Sequence, residues 1–183
     1  MDYYFDVLIL PDTEFPPAIL MNSLYTKLHK ALWDLKSTTI GVSFPRCKVT
    51  LGNLLRIHGT DSDLRELQAQ NWIGGMSGYC KVSEILPVPK NANFRTVSRK
   101  QPNMSQSKLN RLIKRGSIPE DEIKQYKAKM FSKGLDEPYV ELVSKSNSHK
   151  HRRYFEFGEL QETPTLGVFD QFGLSKTATI PYF

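Results

Sequence analysis

The chain opens on a β-rich run, Tyr3 to Leu10, and then changes period. From Pro16 to about Leu35, apolar Leu20, Leu24, Leu28 and Leu32 recur at four-residue steps, and Pro16 and Pro17 suit a first helical turn. A strand followed by an amphipathic helix is the expectation. Ile40 to Phe44 and Asn53 to His58 read as two more strands. Thr60-Asp61-Ser62-Asp63 is a capping sequence for a helix reaching about Ala69, and Gly78 to Leu86 supplies a further strand. The order βαββαβ is the split βαβ pattern of ferredoxin-like domains, the arrangement also used by RNA-recognition modules. An arrangement of this kind assigns no function by itself.

Pro87 to Asn93 has the proline and polar content of a linker, which places a boundary between residues 1–92 and 93–183. Beyond it come a short strand at Phe94 to Ser98 and the segment SQSKLNRLIKRG. There Ser105 or Ser107 can cap a helix that Gly116 ends. Leu109, Leu112 and Ile113 form its apolar face, with Lys108, Arg111 and Arg115 on another. A second helix runs from Ser117-Ile118-Pro119-Glu120 to Phe131, followed by strands near Tyr139 to Val143, Arg152 to Phe157, Thr165 to Phe169 and Ala178 to Pro181. The fold class expected is α+β: a ferredoxin-like N-terminal domain and a C-terminal α+β domain carrying a basic helix.

Composition allows this division. With 183 residues, 39% of them hydrophobic, the chain can bury one good-sized core or two small ones of about 90 residues each. No stretch approaches the roughly 20 apolar residues that span a bilayer, and the N-terminus lacks the basic start of a signal peptide, so a soluble cytoplasmic protein without a membrane partner is expected. Cys47 and Cys80 form no CxxC and have no nearby histidine pair, which signals neither a disulfide framework nor a metal site.

Charge changes the picture more. The net charge is +6, yet residues 1–92 hold nine Lys+Arg against nine Asp+Glu, so residues 93–183 carry the whole excess, sixteen against ten. Residues 93–115 contain seven Lys+Arg and no acid. Residues 145–153 add four more, with His149 and His151, again without an acid. Two unneutralised patches point to a polyphosphate ligand.

A basic stripe opposite an apolar helix face is usually a solvated surface. Here Arg99 and Gln101 lie on an extended segment just before the stripe. Arginine can pair bidentately with guanine and glutamine with adenine, so the two could read neighbouring base edges. An A-form major groove is too narrow for a helix unless opened near a loop or helix end, which restricts the target to a short RNA hairpin. His29, beside Leu28 and on the flank of Tyr25, is by position alone more often a packed residue than a catalyst. Ser144-Lys145-Ser146-Asn147-Ser148 reads either as a polar hairpin turn or as a hydroxyl cluster that fixes a ribose. No GxSxG, Walker loop or carboxylate cluster is present, so serine hydrolase, nucleoside triphosphatase and two-metal nuclease chemistries lack support.

Several segments together resemble the type I-F CRISPR repeat-processing endoribonucleases of the Csy-four type, in the Cas-six superfamily. They are MDYYFDVLILPDTEFPPAIL followed by LHKAL, then IGVSFP, LRIHG, VSRKQ leading into the basic helix, YVELVSKS, and GLSK with a terminal PYF. The resemblance covers nearly the whole chain. It implies a metal-independent endoribonuclease without a cofactor, which binds the hairpin of CRISPR repeat RNA, cleaves precursor crRNA and stays with its product among the other subunits of the surveillance complex. His29 stands at the general base and Ser144 at the serine that holds the 2′-hydroxyl nucleophile. Arg99 and Gln101 stand where base pairs low in the stem are read, and Lys108, Arg111, Lys114 and Arg115 where the helix meets phosphates. Two of those four are lysines, which neutralise phosphate without the bidentate fork.

Phe172 replaces a tyrosine before GLSK that helps position the histidine; its ring can pack, but the phenol hydrogen bond is lost. The aromatic under the last base pair falls on His151, with Arg152 or Tyr154 as alternatives, and Ser146 belongs to the same RNA-binding loop. Two other readings are open: a non-catalytic hairpin-RNA adaptor with a structural His29, and a double-stranded DNA binder, for which no helix-turn-helix or zinc pattern is present.

Overall fold

The computed structural model describes residues 1–101, 106–132, 136–143 and 150–183. Strand β1, Tyr3–Ile9, buries Phe5, Val7 and Ile9 by simple alternation. The Asp12 carboxylate then accepts from the amides of Glu14 and Phe15 and turns the chain into helix α1, Pro17–Asp34. The leucine stripe is its buried face, together with Met21, Tyr25 and Ala31. The helix ends as Lys36 takes a left-handed φ of 52° and the Ser37 amide reaches back to the Leu32 carbonyl.

β2 (Gly41–Ser43) and β3 (Leu54–Gly59) follow, then α2 (Asp61–Ala69), whose N-cap Thr60 accepts from the Asp63 amide at 3.1 Å as its sequence predicted. The strand expected over Gly78 to Leu86 is broken into β4 (Cys80–Val82) and β5 (Leu86–Pro87), both antiparallel to β1. Between them Ser83 bonds twice to Asp6, through its amide and its hydroxyl, so the strand steps aside and rejoins the same edge. The strand order is β2-β3-β1-β4 with every neighbour antiparallel.

The rest of the chain adds two smaller antiparallel sheets. β6 (Asn93–Arg95) pairs with β10 (Ile180–Tyr182). β7 (Val97–Lys100), β8 (Tyr139–Val143) and β9 (Lys150–Phe157) form a sheet in the order β7-β9-β8. Between them in sequence lie α3 (Gln106–Lys114) and α4 (Glu120–Ser132). The expected strand from Thr165 to Phe169 forms no ladder. It is held by hydrogen bonds outside any ladder, the Thr165 amide to the Thr179 hydroxyl, the Thr179 amide to the Thr165 carbonyl and the Phe169 amide to the Thr38 carbonyl, and leaves Leu166 88% exposed.

α1 packs against both β1 and β8, and the Glu141 amide donates to the Asn22 side chain at 2.9 Å. One cluster of buried side chains therefore joins Phe5, Leu24, Leu28 and Ile57 to Val140, Phe155, Leu174 and Ile180, across the Pro87–Asn93 segment. Each fully buried side chain of this kind stabilises the fold by about 1.5–3 kcal/mol. Among the described residues no helix is long and apolar enough to cross a membrane, and no His, Cys, Asp and Glu cluster could hold a metal ion.

Candidate functional site

His29 lies half-buried on α1, one position beyond the buried Leu28. Its Nδ1 is 2.9 Å from the carbonyl oxygen of Gln171. A carbonyl only accepts, so Nδ1 carries the proton and the neutral ring has its basic lone pair on Nε2. Against the imidazole face lies Phe172, with centroids 3.6 Å apart and planes inclined by 10°. Ring orientation is thus set twice, once by a carbonyl and once by a flat neighbour.

Both neighbours sit on one tight turn. The Asp170 carboxylate accepts from the amides of Phe172 at 2.8 Å and Leu174 at 3.0 Å, while Gly173 returns its amide to the Asp170 carbonyl. Gly173 has φ of +69°, and a β-carbon there would meet the Val42 side chain at 2.8 Å. Two further bonds seat the turn: the Val42 amide donates to the Gly173 carbonyl and the Tyr25 hydroxyl to the Phe172 carbonyl at 2.6 Å. Burial pushes the Tyr25 phenol well above its ordinary pKa, so it stays a donor.

Behind Phe172 stands a cation. The Arg153 guanidinium carbon lies 3.4 Å from that ring's centroid, so Phe172 is held between an arginine and the histidine. Arg153 is 7% exposed, its Nε has no hydrogen-bond partner, and no described carboxylate forms an ion pair with it. Its pKa is lowered mainly by burial, with Tyr25 and Asp170 opposing and Arg99 adding to the fall. Sequence reasoning missed Arg153, Tyr25 and Gln171. For Arg153 the signal was present in the alternation of HRRYFEF, which puts it in phase with the buried Phe155.

Arg99 pairs across the ladder with Phe155, which places its exposed side chain on the same sheet face as Arg153. Gln101, exposed just past the strand, continues that alternation. His151 lies opposite Leu142 on this face and is exposed. Arg152 falls on the other face, its guanidinium 4.5 Å from the Tyr139 ring and turned away from His29 by the strand pleat. On α3, Lys108, Arg111 and Lys114 are exposed, as is Arg115 in the turn that follows, while Leu109 is fully buried. Ser144 and Ser146 lie outside the described residues, as does His149.

The remaining described histidine in the core, His58, donates or accepts at 2.8 Å with Ser43, and burial followed by the Arg56 charge holds its pKa down to about 3. It is a neutral packing residue. A cavity of about 500 Å³ lies elsewhere, between Met1, Val88, Phe94, Leu166, Phe169 and Pro181, and its lining does not include His29.

A family model for CRISPR-associated proteins matches residues 4–183. That model is Cas_Csy4, and the chain belongs to this family, as the resemblance of its motifs implied. Among its relatives, the CRISPR-associated endonucleases Cas6/Csy4 of Escherichia coli (strain UTI89 / UPEC) and Pseudomonas aeruginosa (strain UCBPP-PA14) are 37% and 38% identical over 184 and 187 residues, covering the whole of both chains in each case. A solved structure of the CRISPR endoribonuclease Cse3 bound to a 19-nucleotide RNA aligns with 99% of this chain and all of its own, at 14% identity and a TM-score of 0.38.

Proposed function

We propose that the chain is a CRISPR-associated endoribonuclease that binds the stem-loop of repeat RNA and cuts precursor crRNA with His29 as the general base. The family membership supports the reaction class. The observation that carries the residue assignment is the Nδ1 contact to the Gln171 carbonyl, which leaves Nε2 as the basic nitrogen of a ring already oriented by Phe172. Residues 1–92, with β1 and β3 central in the order β2-β3-β1-β4, form a ferredoxin-like domain in this reading, and residues 93–183 the hairpin-binding part.

The nucleophile belongs to the substrate. His29 takes the proton of a ribose 2′-hydroxyl that Ser144 holds in place; the 2′-oxygen bonds to the adjacent phosphorus as the bond to the 5′-oxygen breaks, and that oxygen takes up a proton. The products are a 2′,3′-cyclic phosphate and a 5′-hydroxyl, and the protein's own groups suffice without a metal. Arg99 and Gln101 read base pairs at the foot of the stem, and Lys108, Arg111, Lys114 and Arg115 take its phosphates. Ser146 and His151 line the cut, the latter stacking under the last pair. Retention of the hairpin product in a cytoplasmic type I-F surveillance complex, against other subunits, completes this reading.

A cleavage assay on a repeat hairpin in EDTA tests it. His29→Ala lowers the rate by about 10²–10⁴-fold with binding retained, and a single 2′-deoxyribose at the cut blocks the wild-type enzyme. Binding with no product from the wild-type chain would instead make it a hairpin-RNA adaptor, and a requirement for magnesium would overturn the mechanism.

A further inference from the structure

Trp33 is 59% exposed, more than any other large aromatic side chain among the described residues. Packing does not explain it, because α1 buries Leu24, Leu28, Ala31 and Leu32 on a different face. It stands one helical turn beyond His29, its ring edge-on to the imidazole at 75° with centroids 6.4 Å apart. That edge contact adds little to the fixing of His29, which Gln171 and Phe172 already accomplish at 2.9 and 3.6 Å. More than half of its surface is left to solvent.

Two cations neighbour Trp33 along the chain. Lys30 and Lys36 lie three residues to either side of Trp33, both exposed, and neither pairs with a described carboxylate; Asp34 is the one acid in this turn. An exposed indole between two cations is the combination that holds an unpaired nucleotide, with the base stacked on the ring and the phosphates against the charges. Location then selects the nucleotide. If the paired stem occupies the side of His29 marked by Arg99 and Gln101, the chain leaving on the far side is single-stranded.

We propose that Trp33 is the stacking platform for the first unpaired nucleotide beyond the scissile phosphate, the one whose 5′-oxygen departs, with Lys30 and Lys36 against its phosphates. This rests on the reading of His29 given above and assigns what that reading left open, a subsite for the leaving strand. Since the nucleotide departs after the cut, the site favours uncut RNA over product and adds nothing to the hold on the hairpin. Stacking accepts any base, so the preference is for the presence of a flank over its sequence.

The test uses two hairpin RNAs with 2′-deoxyribose at the cleavage position, one ending at the cut and one carrying three unpaired nucleotides past it. In the full-length Trp72→Phe chain, where Trp33 is the remaining tryptophan, the longer RNA quenches the emission and the shorter one binds without quenching it. Trp33→Ala lowers affinity for the longer RNA roughly tenfold and leaves that for the shorter one unchanged; Trp33→Phe restores most of the difference. Equal quenching by both RNAs, or an equal loss of affinity for both, overturns the platform while leaving the nuclease reading in place. If neither RNA is bound by the wild-type chain, the reading itself falls and takes this subsite with it.

Discussion

The part of the molecule that holds His29 and the part that carries the helix basic residues are built on different principles. Around α1, buried side chains from two sheets converge, and Leu24, Tyr25, Leu28 and Leu32 are each 0% exposed. Along α3 and α4, Leu109 is the single buried side chain among those described, and Ile113 is 46% exposed on what the periodicity marked as an apolar face. A reacting group must be fixed to a fraction of an ångström before substrate arrives, which packing achieves. A phosphate grip, the role proposed above for the α3–α4 arm, needs charge at the right spacing and tolerates latitude, and the arm carries seven exposed cations between residues 106 and 130 on little core.

This contrast can be broken most severely from the core side. Leu28→Ala should cost about 2–5 kcal/mol in chemical denaturation, whereas Ile113→Ala should stay within about 0.5 kcal/mol. Equal losses would remove the distinction. Acid acts on the same side: His58 is neutral when folded with a pKa near 3, but titrates near 6.5 when unfolded. The unfolded chain therefore binds the extra proton, so the stability associated with this group is complete above pH 6.5 and is lost progressively as pH falls from there towards 3. The melting temperature of the wild type should fall more steeply over that window than that of His58→Gln.

On the arm side, replacing Arg111, Lys114 and Arg115 together by alanine should leave the melting temperature unchanged. Hairpin affinity should fall on the order of a hundredfold, and the slope of log affinity against log salt should flatten by about two to three units. A smaller effect belongs to Arg153, a buried cation with an unpartnered Nε. Arg153→Leu should leave stability unchanged or raised, because a buried charge without an ion-pair partner leaves the interior, yet slow single-turnover cleavage roughly tenfold as Phe172 loses its backing. A change in hairpin affinity with no change in rate would place Arg153 with the grip. Smallest is Tyr25→Phe, which removes one hydrogen bond to the Phe172 carbonyl and should cost about 1 kcal/mol.

Much of this was legible in the chain. The four-residue leucine step gave α1 to within a residue at each end, and the Thr60 cap was visible because its chemistry is local. The break in the strand after Gly78 was not, since it depends on Ser83 meeting Asp6 across the sheet, 77 residues away in sequence. The extended Thr165–Phe169 segment matched strand composition but found no edge to pair with. Near His29, composition separated the basic half of the chain, and the motif resemblance singled out His29 and Phe172, whose rings the fold stacks together. Position 153 is hard to read in sequence because an arginine within HKHRR looks like one more surface cation; only the pleat shows which of two adjacent arginines turns inward, Arg153 over the Phe172 ring and Arg152 over Tyr139.

The Asp170–Leu174 turn separates what may vary from what may not. Gln171 meets His29 through its main-chain oxygen, which any residue supplies, and Phe172 through flatness, a property several residues share. Gly173 has no such latitude, because any β-carbon would press on Val42 and swing the carbonyl away. Among these three consecutive positions, the one with no side chain is the most sensitive to substitution.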